Sequence, residues 1–398
     1  MNSMRILLLV PDFPDPVDRI KGGIQSAVLN LLSGFSRLPE LEVLVVSISK
    51  ENKVPLRRKL YSNVDLLYIP EGSSSLSFVN YLLHCSRAVR RIIREFNPHL
   101  IHFEEGMNFL LMRFLAGRRR KHVLTIHGIT FAEAKLKPRL LQKLKWYQNG
   151  VVERMLLPDH IIHISEYSKK IFSSLVRDRS PVIFNSVGNS FFSVPTPGST
   201  GNRLLYVGVI NIRKNLLSLL EAMHQLKQQG CEYVLDVVGD FDDTEQYRDK
   251  VMTLIREKQL GNAVRFLGWK SQEELLSIYT MNDIVVLPSL QETLPVVVAE
   301  AMAAGRVMVA TDAGGVPEMI ETGVDGFVYP KGDGEALKNI LLALHNNQEK
   351  VLEIGKNARK SAGLKFHSLV VASQTLKYYK EVCQPQASTS FLKSYYLA

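Results

Sequence analysis

Cysteine is scarce in this chain of 398 residues: Cys85, Cys231 and Cys383 are the only three, and they stand far apart. That spacing offers neither a disulfide framework nor a metal-ligand pair, and it fits a reducing cytosol. Long apolar runs are missing as well. The first candidate, MRILLLV from Met4 to Val10, stops at Pro11 and Asp12, short of a signal-peptide core, and reads as an opening strand. No segment approaches the roughly 20 apolar residues that a bilayer requires, so no transmembrane helix is expected. Short repeats and low-complexity tracts are also lacking, which excludes a repeat array.

What the chain does have is size, with 46% hydrophobic residues. One core usually stops growing below this length, so two domains are expected. Net positive charge is confined to one half. Residues 1–200 hold 28 Lys+Arg against 16 Asp+Glu, and the remainder holds 21 against 23. The clusters are RAVRRIIR (Arg87 to Arg94), GRRRKH (Gly117 to His122) and KLKPRLLQKLK (Lys135 to Lys145). Such a half favours an anionic partner surface. In the third cluster, Leu136, Leu140, Leu141 and Leu144 recur at helical spacing beside Trp146, the pattern of a helix lying on a membrane surface or of one whose leucines face the core. No nucleic-acid motif accompanies the charge.

Strand-like apolar runs alternate with helix-period segments through both halves, which argues for an α/β protein with largely parallel sheets. Strands are expected near Arg5 to Val10, Glu42 to Ile48, Asp65 to Ile69, Leu100 to Phe103, His122 to Ile126, His160 to Ile164 and Val182 to Phe184. After a Pro/Gly/Ser/Thr stretch, alternation restarts at RLLYVGVI and continues through YVLDVVG, AVRFLGW, DIVVLP, RVMVAT and GFVYP. The division expected is residues 1–190, a linker 191–202, residues 203–365, and 366–398 as a C-terminal helix that crosses back to the first domain, with a tail. Ligands of open parallel sheets bind beyond the carboxyl ends of the strands, so two doubly wound domains place a cleft between them.

The chemistry-bearing residues cluster at strand ends. In QETLPVVVAEAMAAG, Glu292 and Glu300 flank a turn into a helix, with Pro295 suited to its first position and Thr293 a candidate cap. Free N–H groups there, around Leu294, Pro295 and Val296, suit a diphosphate. Glu300 stands about 7.5 Å along the helix, within reach of an adjoining ribose, and Glu292 faces the sugar side. Ionised carboxylates accept hydroxyl hydrogen bonds, and the charge-assisted kind is the stronger. VGVINIRKN sets Gly208 at a strand end, followed by Arg213 and Lys214, two cations for a leaving diphosphate or a basic surface loop. KGGIQ offers Gly22 and Gly23 for close backbone approach at a helix start, or a plain tight turn. His127 ends the strand in HVLTIHGIT, facing a sugar hydroxyl or satisfied locally. DAGGVPEMI supplies Gly314, Gly315 and Glu318 at a further strand-to-helix turn. Asp240 and Asp242 form a D-x-D, which reads as helix-opening acids rather than a metal site. A nicotinamide-dependent dehydrogenase would show G-x-G-x-x-G, which neither Gly208 nor Gly239 begins.

Together these segments resemble glycosyltransferase family 4, retaining enzymes of the GT-B fold: two doubly wound, Rossmann-like parallel-sheet domains facing a cleft. ETLPVVVAE matches that family's E-x7-E motif, NIRKN its basic diphosphate turn and GGVPE its next turn, while ISEYSK (Ile164 to Lys169) and NSVGNSFF (Asn185 to Phe192) match its segments before the linker. The resemblance implies that Glu300 holds the ribose, Glu292 and His127 the sugar, Arg213 and Lys214 the diphosphate, and Gly23 a phosphate. It implies a nucleoside diphosphate sugar as co-substrate and no divalent metal or other cofactor, while the basic half points to a glycan or lipid-linked acceptor, in polysaccharide, lipopolysaccharide or glycolipid synthesis, and to a place at the cytoplasmic membrane's inner face. Epimerase, phosphorylase and non-catalytic sugar-nucleotide-binding variants share the fold and stay open. Val209 departs from the arginine that many members carry after the glycine, and Gly128 from the aspartate that some carry after the histidine.

Overall fold

The computed structural model describes residues 3–10, 13–17, 20, 22–49, 54–70, 78–104, 120–128, 160–173, 180–195, 201–242, 245–345 and 347–384. The Lys135 to Lys145 cluster with Trp146, Arg118, Arg119 and the tail from residue 385 lie outside them, so the membrane-surface reading of that cluster is not placed.

Two sheets carry the fold. The first runs β3 (Leu56–Tyr61), β4 (Val64–Pro70), β2 (Leu41–Ser49), β1 (Met4–Leu9), β5 (Leu100–Glu104), β6 (Lys121–Ile126) and β7 (Ile161–His163), parallel except for the antiparallel pairing of β3 with β4. The second runs β10 (Val264–Gly268), β9 (Val234–Val238), β8 (Arg203–Val207), β11 (Ile284–Leu287), β12 (Val307–Thr311) and β13 (Phe327–Tyr329), all parallel. Leaving β3 aside, each sheet has the doubly wound order, with its first strand central and the winding reversed beside it. The reversals fall between β1 and β5 and between β8 and β11. Loops leaving those strand pairs diverge and open a crevice at each sheet's carboxyl edge.

Central strands are buried on both faces, which is why LIHFE, IVVL and VMVAT read as continuous runs instead of alternating ones. The edge strand β3 was not expected. Its sequence, LRRKLY, exposes Arg57, Arg58 and Lys59 at the sheet margin, where charge discourages further pairing, and they ion-pair with Asp65 and Asp15. The expected strand Val182 to Phe184 is reduced to one bridge between Val182 and His163. Pro181 just before it has no N–H to extend a ladder.

Among the described residues the α-helices are α1 (Gly23–Phe35), α2 (Phe78–Phe96), α3 (Glu166–Phe172), α4 (Leu216–Gln228), α5 (Glu245–Glu257), α6 (Gln272–Met281), α7 (Val296–Ala303), α8 (Val316–Met319), α9 (Gly334–His345), α10 (Gln348–Lys365) and α11 (Ser368–Cys383). On α2, Cys85, Val89, Ile92 and Ile93 are buried while Arg87, Arg90, Arg91 and Arg94 are exposed, so the basic cluster is the outer face of an amphipathic helix. The last helix, α11, packs on the first domain: Val371, Ala372, Leu376, Tyr379 and Val382 share a core with Val28, Leu32 and Phe35 of α1. Gly34 makes the crossing close, since a Cβ there would stand 2.2 Å from the Ser368 carbonyl oxygen. Each buried aliphatic side chain contributes about 1.5–3 kcal/mol, enough to commit α11 to that face. The linker is held as well: Arg359 donates to the Val194 carbonyl and Arg306 to that of Pro195.

Candidate active site

The second sheet's reversal point brings two loops together. After β8, Gly208 takes φ of 149°, and the Lys214 stem lies over its bare backbone, with Cε 3.6 Å from where a Cβ would stand. The loop after β11 is stitched to this turn, Leu290 N–H donating to the Arg213 carbonyl at 2.8 Å and Arg213 Nη1 to the Gln291 carbonyl at 3.2 Å. Between them, Glu292 accepts from Lys214 Nζ at 2.6 Å and from Arg213 Nη1 at 3.3 Å. Glu292 and Lys214 are buried, at 4% and 9% exposure. Burial drives the Glu292 carboxyl upward, but Lys214 and Arg213 outweigh it and hold it below its ordinary range. Burial lowers the Lys214 ammonium, and Glu292 only partly restores it. Two cations around one carboxylate leave an excess positive charge, with Lys214 and Glu292 shielded from water and Arg213 half-buried. Val209 is exposed, while Arg213 lies in the cluster on Glu292.

The helix α7 follows directly. Pro295 occupies its N-cap position with ψ of 123°, one place before the position expected of it, and no side chain caps the end, Thr293 included. Its fixed φ still starts the helix, and the first N–H groups of any helix lack intrahelical partners. Gly23, opening α1, faces the same point: a Cβ there would lie 3.7 Å from Val296 Cγ2. The positive ends of two helices from different domains therefore converge beside Arg213 and Lys214. In front of Gly22 there is open space. The Leu294 side chain is in the core, so only its backbone is left for a ligand.

Glu300 is the single charged residue of α7, VVVAEAMA, a helix otherwise apolar all round. Its carboxylate is buried and accepts one long hydrogen bond, 3.5 Å from the Tyr279 hydroxyl. Burial pushes its pKa up to about 7, which Tyr279 only slightly offsets. An acceptor held in this state is short of donors, and hydroxyl groups would supply them.

The turn after β12 supports this arrangement from below. Gly314 has φ of 63°, and a Cβ there would stand 1.9 Å from the Glu292 carbonyl oxygen, while Gly315 N–H donates to the Thr293 carbonyl at 2.9 Å. These glycines hold the Glu292 loop. Gly314→Ala is expected to cost on the order of 2–4 kcal/mol through overpacking and left-handed strain, seen as a lower urea midpoint, whereas Gly22→Ala should leave that midpoint nearly unchanged. Equal midpoints for both variants would contradict this.

Glu318 is placed differently from the expected donor contact. Its two oxygens accept from the backbone N–H groups of Glu166 and Tyr167 at 2.6 and 2.7 Å, opening α3 in the other domain. Unpaired N–H groups and a positive helix end claim a carboxylate strongly. A groove of about 520 Å3 beside this bridge is lined by Glu166, Tyr167, Lys169, Lys170, Ser173 and Glu318. Glu318→Ala is expected to shift the unliganded protein roughly tenfold toward open arrangements, given charge-assisted bonds discounted for partial exposure. Small-angle scattering should show a larger radius of gyration, and an unchanged one would sink the bridging role.

In the first domain, His127 directly follows β6 at 9% exposure, and its Nε2 lies 2.7 Å from Glu104 Oε2 at the end of β5. Glu104 was missed in the sequence, although a carboxylate inside LIHFE was the available signal. Gly128 beside it is partly buried. Asp240 follows β9, and among the described residues no three His, Cys, Asp or Glu side chains gather as a metal site. No helix among them is long and apolar enough to cross a membrane.

Comparison with known proteins now bears on this geometry. Residues 21–188 match the family model described as Glycosyltransferase Family 4, and residues 190–361 the model described as Glycosyl transferases group 1. The amylovoran biosynthesis glycosyltransferase AmsK of Erwinia amylovora is 34% identical over 178 residues, covering 43% of each chain, so the match spans less than half of that relative. Glycosyltransferase MJ1178 of Methanocaldococcus jannaschii is 25% identical over 85% of this chain and 89% of its own. Among solved structures, HepE from Anabaena in complex with UDP-glucose superposes with a TM-score of 0.72 at 20% identity, covering 95% of this chain and all of that one. With one glycosyltransferase model over residues 21–188 and another over 190–361, and two largely parallel doubly wound sheets, the second of which carries the cation and carboxylate cluster at its strand ends, the chain belongs to the glycosyltransferases of the GT-B fold.

Proposed function

We propose that the protein transfers a sugar from a nucleoside diphosphate donor to an acceptor hydroxyl, with retained anomeric configuration and without a divalent metal. The observation that carries this reading is the buried Lys214–Glu292 pair with half-buried Arg213, beside the converging ends of α1 and α7. A departing diphosphate develops negative charge, and fixed cations and helix ends in a water-poor site stabilise it without reorganising. These groups supply the positive charge that a divalent ion supplies elsewhere. Glu300 takes the ribose hydroxyls, and Glu292, tied to two cations, suits a charge-holding role beside the sugar instead of a nucleophilic one. The leaving phosphate oxygen then accepts the acceptor's proton on the same face, so the anomeric configuration is retained. HepE's complex with UDP-glucose supports a nucleotide-sugar donor.

The acceptor enters from the first domain, along the groove lined by Tyr167, Lys169 and Lys170. A glycan or lipid-linked acceptor, in polysaccharide, lipopolysaccharide or glycolipid synthesis, fits the exposed arginines of α2 and a site at the cytoplasmic membrane's inner face. AmsK's role in amylovoran biosynthesis supports that class.

The test is nucleotide release from UDP-, GDP-, ADP- and dTDP-sugars with EDTA present and a cell-envelope extract as acceptor, followed by proton NMR of the product's anomeric signal. Extract-dependent release from one donor with retained configuration is expected. An inverted product removes the retaining mechanism, and EDTA-sensitive release removes metal independence. Epimerised donor without extract, or release only with inorganic phosphate, selects an epimerase or a phosphorylase. Binding without release selects a non-catalytic module.

A further inference from the structure

Behind His127 lies a buried polar chain that the transfer chemistry above leaves unused. Strand alternation puts His102 and Glu104 on one face of β5, and the parallel register pairs Glu104 with Thr125 on β6, so Thr125 and His127 share that face. His102, Glu104 and Thr125 are at most 6% exposed. The crossing helix α11 completes the set, its Tyr379 hydroxyl meeting His102 Nδ1. His102 Nε2 is 2.7 Å from Thr125 Oγ1, and His127 Nε2 is 2.7 Å from Glu104. The adjoining cavity of about 30 Å3, lined also by Thr375 and Ser186, is far below the roughly 300 Å3 of a ligand site. Nothing sugar-sized fits there, so the chain acts on its own members.

Donor and acceptor chemistry fixes the direction of each bond. Burial keeps the Tyr379 phenol protonated, so it donates to His102 Nδ1. His102 Nε2–H then donates to Thr125, and the Thr125 hydroxyl to Glu104. An ionised carboxylate only accepts, so the ring of His127 must carry its proton on Nε2. In the neutral ring this leaves Nδ1 as the acceptor atom.

We propose that Glu104 is a positioning residue for the transfer reaction: it holds the Nε2–H of His127 and so fixes Nδ1 as the atom through which that ring meets a hydroxyl of the transferred sugar. This rests on the reading of the protein as a glycosyltransferase. A carboxylate that orients a histidine's tautomer acts only through that histidine.

The experiment is a double-mutant cycle on nucleotide release by the full chain, with Glu104→Leu, His127→Ala and the pair, alongside 15N NMR of the histidine rings. Glu104→Leu is expected to lower kcat roughly 10- to 100-fold, the effect of one lost charge-assisted bond, with donor KM nearly unchanged. The His127 ring should shift from the Nε2–H form toward the Nδ1–H form. The pair should be no worse than His127→Ala alone, because the two effects travel by one route. Should Glu104→Leu fail to fold, the isosteric Glu104→Gln enters the same cycle, with a several-fold loss expected that vanishes in the His127→Ala background. Multiplying losses, or full turnover in the Glu104 variant, would overturn the positioning role while leaving the transferase reading intact. A wild-type protein that turns over no donor would overturn that reading, and this proposal with it.

Discussion

Lys214→Met is expected to lower nucleotide-sugar turnover about 10²- to 10³-fold at saturating donor, the usual loss for one preorganised group at a developing anion. The ammonium is buried and 2.6 Å from Glu292, so water cannot replace its charge. The same change also leaves Arg213, at 3.3 Å, as the remaining cation of the cluster on Glu292. Breaking a buried pair typically costs about 3–5 kcal/mol, and the remaining arginine keeps the loss toward the lower end. Stability and catalysis are separable here. Lys214→Met with Glu292→Gln removes both charges, so it should recover most of the lost melting temperature and none of the lost turnover. If turnover returned with stability, the lysine's function would be to hold the loop, and the diphosphate assignment would fall.

Glu300→Gln is expected to move stability and function in opposite directions. The Glu300 carboxyl is pushed up to about 7 in the folded protein, against about 4.3 in an unfolded chain. Between those values the folded state holds a proton that the unfolded state has released, so stability is lost as pH rises through this window and stays lost above it. Glutamine carries no such charge, and the variant should therefore melt at a higher temperature than wild type at pH 8 and at a similar one near pH 4. Donor binding should weaken roughly 10- to 100-fold, since hydroxyls bonded to a carboxylate lose charge assistance. Ribose hydroxyls donating to the ionised form also lower its pKa, so wild-type binding near pH 7 should release a proton, seen as buffer-dependent enthalpy in calorimetry. A variant with lower melting temperature at pH 8 and unchanged donor affinity would refute both the raised pKa and the ribose contact.

Much of this site can be read in the sequence because its parts are local. Glu292 and Glu300 flank one turn, Arg213 and Lys214 sit within another, and both follow apolar runs that only a buried parallel strand explains. The doubly wound sheets and the cleft between them are expected from the alternation. What the sequence hides is contact between distant segments. Glu104 and His127 meet through the register of β5 and β6, 23 residues apart, and neither strand alone signals the pair. Glu318 sits in a turn that suggests a donor contact, but its partners are backbone N–H groups some 150 residues earlier, which no side-chain motif records. Edge strand β3 was overlooked because its charged residues suppress the apolar alternation by which strands are recognised. That α11 returns to the first domain is an expectation of the sequence, but how closely it seats on α1 depends on Gly34, which periodicity cannot convey.

The most direct measurement is a crystal structure of the protein soaked with the nucleoside diphosphate of whichever donor it binds. Diphosphate oxygens within hydrogen-bond distance of Lys214 Nζ and Arg213, against the first N–H groups of α7, with ribose hydroxyls on Glu300, are the expected result. A nucleotide bound away from the β8 and β11 loops, with Lys214 still closed on Glu292, would contradict the assignment of this cluster as the donor site.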